Sequence, residues 1–251
     1  MLDDIGQAWL TNGTMKNSSP SAASLPHFDM LQRLPGNFLF PARMTVLPLA
    51  DGTLALVSPI PIDDALAGRI AALGRVSLLI APNLFHHFYL GPASERYPEA
   101  RVLAPRGLRQ KRPDLRIDAD LEAGLPPALA AAVEVLKIEG VPALDEHVFF
   151  HRAQRALVVT DLVFNVLKPQ GFVANVALFL MGCHGRLGQS RSFRFLVKDR
   201  AAFRASIGQL LALPSAQLIP AHGEPVLVDA QARLWQVLGH HLPQRTALPA
   251  S

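Results

Sequence analysis

Asn83-Leu84-Phe85-His86-His87 follows the largely apolar run Val76–Ile80, with only Ala81-Pro82 between them. A short apolar run of this kind reads as a strand covered on both faces. Two adjacent histidines just past a buried strand pack poorly, but they suit the binding of a metal ion. Two later stretches have the same shape. Residues 156–160, Ala-Leu-Val-Val-Thr, run into Asp161, and Gln217-Leu218-Ile219-Pro220 runs into Ala221-His222-Gly223. Three strand ends, each delivering an imidazole or a carboxylate, imply one site at one edge of a sheet.

The pattern outward from these strands is regular. Residues 43–49 and 53–58 flank Asp51-Gly52, a hairpin turn signal. Asp63 is placed to cap a helix that runs to Leu73 and ends at Gly74. A helical turn at 94–97, a strand at Arg101–Ala104 and a short helix at 107–111 follow. In the second half, 133–138 and His147–His151 read as strands, joined to 156–160 by a turn at 152–155. Residues 163–195 are assigned to helix and loop over the site. Asp199 opens a helix to Leu213, 216–219 is a strand, and 228–240 forms a closing helix. Strands interleaved with helices predict an α/β layered sandwich. Residues 1–27, rich in Ser, Asn, Gly and Ala, read as a flexible extension, which leaves 28–251 as one domain.

Half of the 251 residues are apolar and 18% are charged, the balance of a globular core rather than a disordered chain. The net charge is only +4. Two basic clusters stand out: Arg106, Arg109, Lys111, Arg112 and Arg116, then Arg186, Arg191, Arg194, Lys198, Arg200 and Arg204. They lack the interleaved aromatics of a nucleic-acid module, so they read as solvated faces; attraction of an anionic substrate stays open. The single cysteine, Cys183, excludes an internal disulfide and reads as buried filler. Residues 171–183 are interrupted by Asn175 and are too short to span a bilayer. The opening Met1-Leu2-Asp3-Asp4-Ile5 lacks a secretory pattern. The expectation is a cytoplasmic protein with a small-molecule substrate and neither nucleic acid nor membrane as partner. Oligomeric state is open, and an apolar 172–181 surface is compatible with a dimer.

With these pieces in order, the chain resembles the metallo-β-lactamase superfamily. The resemblance implies a four-layer αββα sandwich with a metal site at one edge of two facing sheets. The first signature of that family, His-x-His-x-Asp-His after a strand, falls on residues 82–87. Pro82 and Leu84 then take the first two histidine positions, His86 the aspartate and His87 the last histidine. No histidine stands near Gly140-Val141-Pro142, where the family has its third. Asp161 matches the bridging aspartate and His222-Gly223 the last histidine. Every ligand private to the first of the family's two metal positions is gone, while His86, His87, Asp161 and His222 remain for the second. A single-metal remnant is what the resemblance implies. Over roughly residues 40–230 the chain is similar to a bacterial and plant branch of the superfamily that carries no assigned activity.

Three imidazoles and a carboxylate suit one divalent ion, zinc, iron or manganese. If His86 does not ligate, His87, Asp161 and His222 leave more open positions. Asp161 would both ligate and orient water, making it the catalytic candidate. The implied activity is hydrolysis of an ester, thioester, lactone or similar bond by metal-bound hydroxide. Two alternatives stand beside it: a mono-iron oxidoreductase of the same fold, and a catalytically inactive binding domain with no metal. Asn83, Asn165 and Arg43 are candidates to line the pocket or to bond the backbone in turns. His151 is a hydrogen-bonded partner at a strand end or a support for a ligand. His184 touches substrate or sits on the surface.

Overall fold

The computed structural model describes residues 14–16 and 24–243. Seven strands form the larger sheet in chain order: β1 (Thr14–Lys16), β2 (His27–Leu34), β3 (Phe38–Pro48), β4 (Leu54–Val57), β5 (Val76–Ile80), β6 (Arg101–Ala104) and β7 (Ala119–Asp120). The first four pair antiparallel and the last four parallel. Parallel neighbours need crossover segments, and α1 (Asp64–Ala71), α2 (Leu90–Arg96) and α3 (Arg106–Lys111) lie in them. Asp63 starts α1 by accepting the Leu66 amide hydrogen at 2.7 Å.

After α4 (Pro127–Ala132), the smaller sheet holds β8 (Val133–Lys137), β9 (His147–His151) and β10 (Ala156–Val159). Then come β11 (Phe164–Asn165), α5 (Phe172–Met181), β12 (Leu187–Gly188), α6 (Phe193–Leu196), α7 (Arg200–Ala212), β13 (Gln217–Pro220) and α8 (Ala230–Leu238). The order across the smaller sheet is β13-β10-β9-β8, and β11 pairs with β12 as a separate ribbon.

Period-two alternation builds the layers. In the larger sheet, Leu56, Leu79 and Val102 pack outward on Leu66, Ile70, Leu90 and Leu108 of the three helices. Val57, Leu78, Ile80 and Leu103 point the other way, onto Phe149, Val158 and Ile219 of the smaller sheet. The smaller sheet in turn buries Phe150, Leu157 and Leu218 against Phe203 and Ile207 of α7 and Leu234 of α8. The result is the four-layer αββα sandwich. Among the described residues no helix is long and apolar enough to cross a membrane.

Part of the expected N-terminal extension belongs to the fold. Thr14–Lys16 extends the sheet by pairing with Asp29 to Leu31 of β2, and Leu25 is buried between the two sheets. Backbone pairing at an edge does not depend on apolar side chains, so composition carried no sign of it. Residues 1–13 and 17–23 lie outside the described residues. The strand expected at 43–49 starts earlier, at Phe38, and joins β2 through a turn at Pro35–Asn37 in which Gly36 has φ +71°.

Candidate metal centre

Pairing brings the donors to one edge. β10 and β13 are parallel with Val159 opposite Pro220, so Thr160-Asp161 and Ala221-His222 leave adjacent strands in the same direction. From the other sheet, the segment after β5 carries His86 across. Asn83 fixes that crossing. Its Oδ1 accepts the amide hydrogens of Phe85 and His86, both at 2.8 Å. Its Nδ2 donates to Asp161 Oδ2 at 2.7 Å and to Thr160 Oγ1 at 3.0 Å.

Three donors converge there: His86, Asp161 and His222. His86 Nε2 lies 3.3 Å from Asp161 Oδ2, and His222 Nε2 lies 3.3 Å from Asp161 Oδ1. The two Nε2 atoms are 3.1 Å apart. His222 Nδ1 is 2.7 Å from the Pro41 carbonyl oxygen. A carbonyl only accepts, so Nδ1 carries the proton and the Nε2 lone pair faces the carboxylate. His86 Nδ1 is 2.6 Å from Ser58 Oγ, a partner able to donate or to accept. A lone pair aimed at a carboxylate needs a cation between them, either a proton or a metal ion. Ligands about 2.0–2.1 Å from a tetrahedral metal lie roughly 3.3–3.4 Å from one another. The imidazole pair at 3.1 Å comes near that spacing and each ring faces its own Asp161 oxygen at 3.3 Å; with one donor atom from each residue lying within 4.8 Å of the others, the set fits one divalent ion.

The electrostatics agree with a cation hole. Burial and then repulsion by Asp161 push the Glu146 carboxyl up to about 7. Burial alone would lower His86 and raise Asp161. The attraction between them outweighs it in both, holding His86 above the usual histidine value and Asp161 far below the usual carboxylate range. His222 is lowered, first by burial, although its bond to Asp161 opposes this. Asp161 keeps 21% of its side chain exposed, against 11% for His86 and 7% for His222.

His87 does not join the convergence. Arg112 Nη1 donates to its Nδ1 at 3.1 Å. A neutral imidazole that accepts at Nδ1 carries its proton on Nε2, so neither nitrogen offers a lone pair. Burial, then Lys111 and Arg112, pull its pKa down to about 4. Of the four residues expected from sequence, His86, Asp161 and His222 come together and His87 stands apart.

The supporting candidates separate as well. Arg43 is buried, grips both Asp29 oxygens at 2.7 and 3.0 Å, and donates to the Pro220 carbonyl at 2.8 Å, tying down the strand that delivers His222. Asn165 donates its backbone N–H to His222 O at 2.9 Å and its side-chain amide to Glu224 O at 2.7 Å, clamping the His222 turn. His151 sits at the end of β9 paired with the start of β10, away from Asp161, and is bonded to Pro48 O at 3.1 Å. It lies outside the centre because antiparallel pairing sends it to the opposite edge. His184 is on the surface, bonded to Asn175 at 2.9 Å. Cys183 is buried, and burial raises its thiol to about 11.

Several contributors were missed from sequence. Fully buried Glu146 accepts the Thr160 and Asp161 amide hydrogens at 2.8 and 3.0 Å and so shapes the turn that aims Asp161. Ser58, held at φ +56°, supports His86. Phe164 stacks on the His222 ring and Phe40 tilts against it, forming an apolar wall. The one available sign was the position of Ser58 at the end of a strand, like the donors themselves.

No protein-family model and no curated protein matches the sequence. Solved structures do. A DIM-1 metallo-β-lactamase exposed to ceftazidime is 13% identical, with TM-score 0.59 over 90% of this chain and 97% of that one. The metallo-β-lactamase from Pontibacter korlensis is 12% identical, with TM-score 0.59 over 91% and 99%. FIM-1 from Pseudomonas aeruginosa, in a mono-zinc form, is 12% identical, with TM-score 0.55 over 91% and 95%. Two facing sheets between helices match those structures across nearly the whole chain: this protein has the metallo-β-lactamase fold.

Proposed function

We propose that the chain is a metal-dependent hydrolase with one divalent ion held by His86, Asp161 and His222. One observation carries the reading: three donor groups within 3.1–3.3 Å of one another, one imidazole with its tautomer fixed by a carbonyl. Three protein ligands with remaining positions open is the arrangement of catalytic rather than structural zinc sites. A mono-zinc form among the similar structures is compatible with a one-ion centre. When bound, the ion would acidify water and polarise the bond to be cleaved.

The residues of the chain supply the rest. Asp161 stays anionic, held by Asn83, and anchors both imidazoles. Pro41 O and Ser58 Oγ fix the ring orientations so that both Nε2 atoms face inward. Phe40 and Phe164 shield one side of His222 from water and offer an apolar wall to a substrate. An ester, thioester or lactone with an apolar portion suits that wall.

The same two-histidine, one-carboxylate set also serves mononuclear iron(II) centres, and on it rests a second reading as an oxidoreductase. Elemental analysis of the native protein, with Asp161→Ala and His222→Ala beside it, tests both. One equivalent of metal, lost in each variant together with esterase, thioesterase or lactonase turnover, supports the hydrolase. Stoichiometric iron with oxygen-sensitive colour and no turnover on that panel supports the oxidoreductase. Equal metal content in wild type and both variants refutes the centre itself.

A further inference from the structure

A second region, independent of the metal donors, concentrates charge without compensation. From 162 to 198 the chain has no acidic residue, and within this span lie Arg186, Arg191 and Arg194. With Arg233 of α8, their side chains line a cleft of about 660 Å³, joined by His240 and His241 and by no carboxylate. Among the described residues none of these four arginines forms an ion pair, whereas Arg43, Arg96, Arg106, Arg109, Arg112 and Arg116 all do. The basic face that the sequence presents as merely solvated is concave, and its charges repel one another until an anion arrives.

Three of the four guanidiniums make contacts within the protein. Arg186 Nε donates to the Gly182 carbonyl at the end of α5, at 3.1 Å. The Arg191 backbone N–H donates to Met181 O at 2.8 Å, and its side chain packs so closely on Gly182 that a Cβ there would lie 2.9 Å from Arg191 Nε. Arg194 lies over the Phe195 ring at 4.8 Å. Guanidiniums that already have contacts within the protein lose less freedom on binding than free side chains do.

We propose that this cleft binds a small molecule carrying two or more phosphate groups. Arginine grips phosphate oxygens in pairs, and four such forks ask for more oxygens than one phosphate presents. The volume falls in the range of pockets for nucleotide-sized ligands, and Leu187 and Val237 give the remainder of the molecule an apolar surface. The cleft also borders the metal centre, because Asn165 lines it and donates its backbone N–H to His222 O.

The test is calorimetric titration of the full chain with inorganic pyrophosphate and with ATP, in chelator-treated buffer. Saturable one-to-one binding is expected, weakened about tenfold or more between 50 and 200 mM KCl. Arg233→Ala alone, and Arg191→Ala with Arg233→Ala, should each weaken it at least tenfold while thermal melting confirms folding. Asp161→Asn should leave it unchanged. The proposal is overturned if pyrophosphate binds no better than sulfate at equal ionic strength, or if the arginine variants bind like wild type. Tighter binding in Asp161→Asn also overturns it, by placing the anion at the metal centre, where the carboxylate repels it in the absence of an ion. Binding to phosphatidylserine vesicles with no response to either soluble probe overturns it in favour of a lipid headgroup surface.

Discussion

Gly223→Ala asks whether the backbone after β13 is what aims His222. Gly223 has φ +99°, and a Cβ there would stand 2.1 Å from the Asn165 carbonyl oxygen and 2.3 Å from its carbon. Ordinary contact begins at 3.4 Å, so the turn must move by more than about 1 Å, and His222 is attached to it. Backbone strain of this kind costs about 1–3 kcal/mol, and the lost Asn165 clamp brings the total to roughly 3–5 kcal/mol. Gly140→Ala is the control. It has φ +80° and meets the Asp199 carbonyl oxygen at the same 2.1 Å, but its close neighbours are Asp199 and Phe203 rather than any donor. Urea unfolding with chelator present should show comparable losses for the two variants. Competition against a chromophoric chelator should show metal affinity falling about tenfold to a hundredfold in Gly223→Ala and hardly at all in Gly140→Ala. Wild-type metal affinity in a destabilised Gly223→Ala protein would refute the reasoning, because His222 would then either not ligate or not depend on this turn.

Three further outcomes are expected. The folded protein holds His87 down to about 4 against roughly 6.5 unfolded, so its contribution is complete above pH 6.5 and is lost as pH falls towards 4. His87→Gln, which keeps an acceptor for Arg112, should remove about 2 kcal/mol of the stability loss between pH 7.5 and 5 and leave metal content unchanged; an unaltered pH slope, or lost metal, contradicts this. Ser58→Ala removes the partner of His86 Nδ1 and should weaken metal binding about tenfold to a hundredfold while changing folding stability by about 1 kcal/mol. Cys183 should resist thiol reagents in the native protein and react at once in denaturant, since it is buried and its thiol lies near 11; fast native labelling would contradict its placement.

How much of this could be read in advance depended on whether a signal was local. Val76–Ile80, Arg101–Ala104 and His147–His151 are short apolar runs, and the structure has strands at those bounds. Asp63 and Asp199 cap the helices they announced. β2 was not legible, because His27-Phe28-Asp29-Met30 mixes charge and bulk, and the first half of β3 was hidden by Pro41, whose carbonyl turns out to orient His222. At the centre, His86, Asp161 and His222 were recognisable as side chains just past strand ends. The exclusion of His87 was not, because it depends on a guanidinium delivered from Arg112, twenty-five positions later. Glu146 looks like any loop acid until its two amide partners and full burial are known. Arg43 and Asn165 were read as pocket lining or backbone partners; each bonds a backbone carbonyl, and Asn165 also lines the basic cleft.

The parallel seam between β10 and β13 has a consequence for biosynthesis. His222 follows the strand of its sheet that comes last in the chain, so a nascent chain displays His86 and Asp161 before their third companion exists. Two such groups hold a first-row ion far more loosely than three. In the proposed centre, ion capture would therefore wait until translation had passed residue 222 and the second sheet had closed. On that proposal a prematurely terminated product would leave the ribosome without an ion, and ion content would mark the molecules that finished folding.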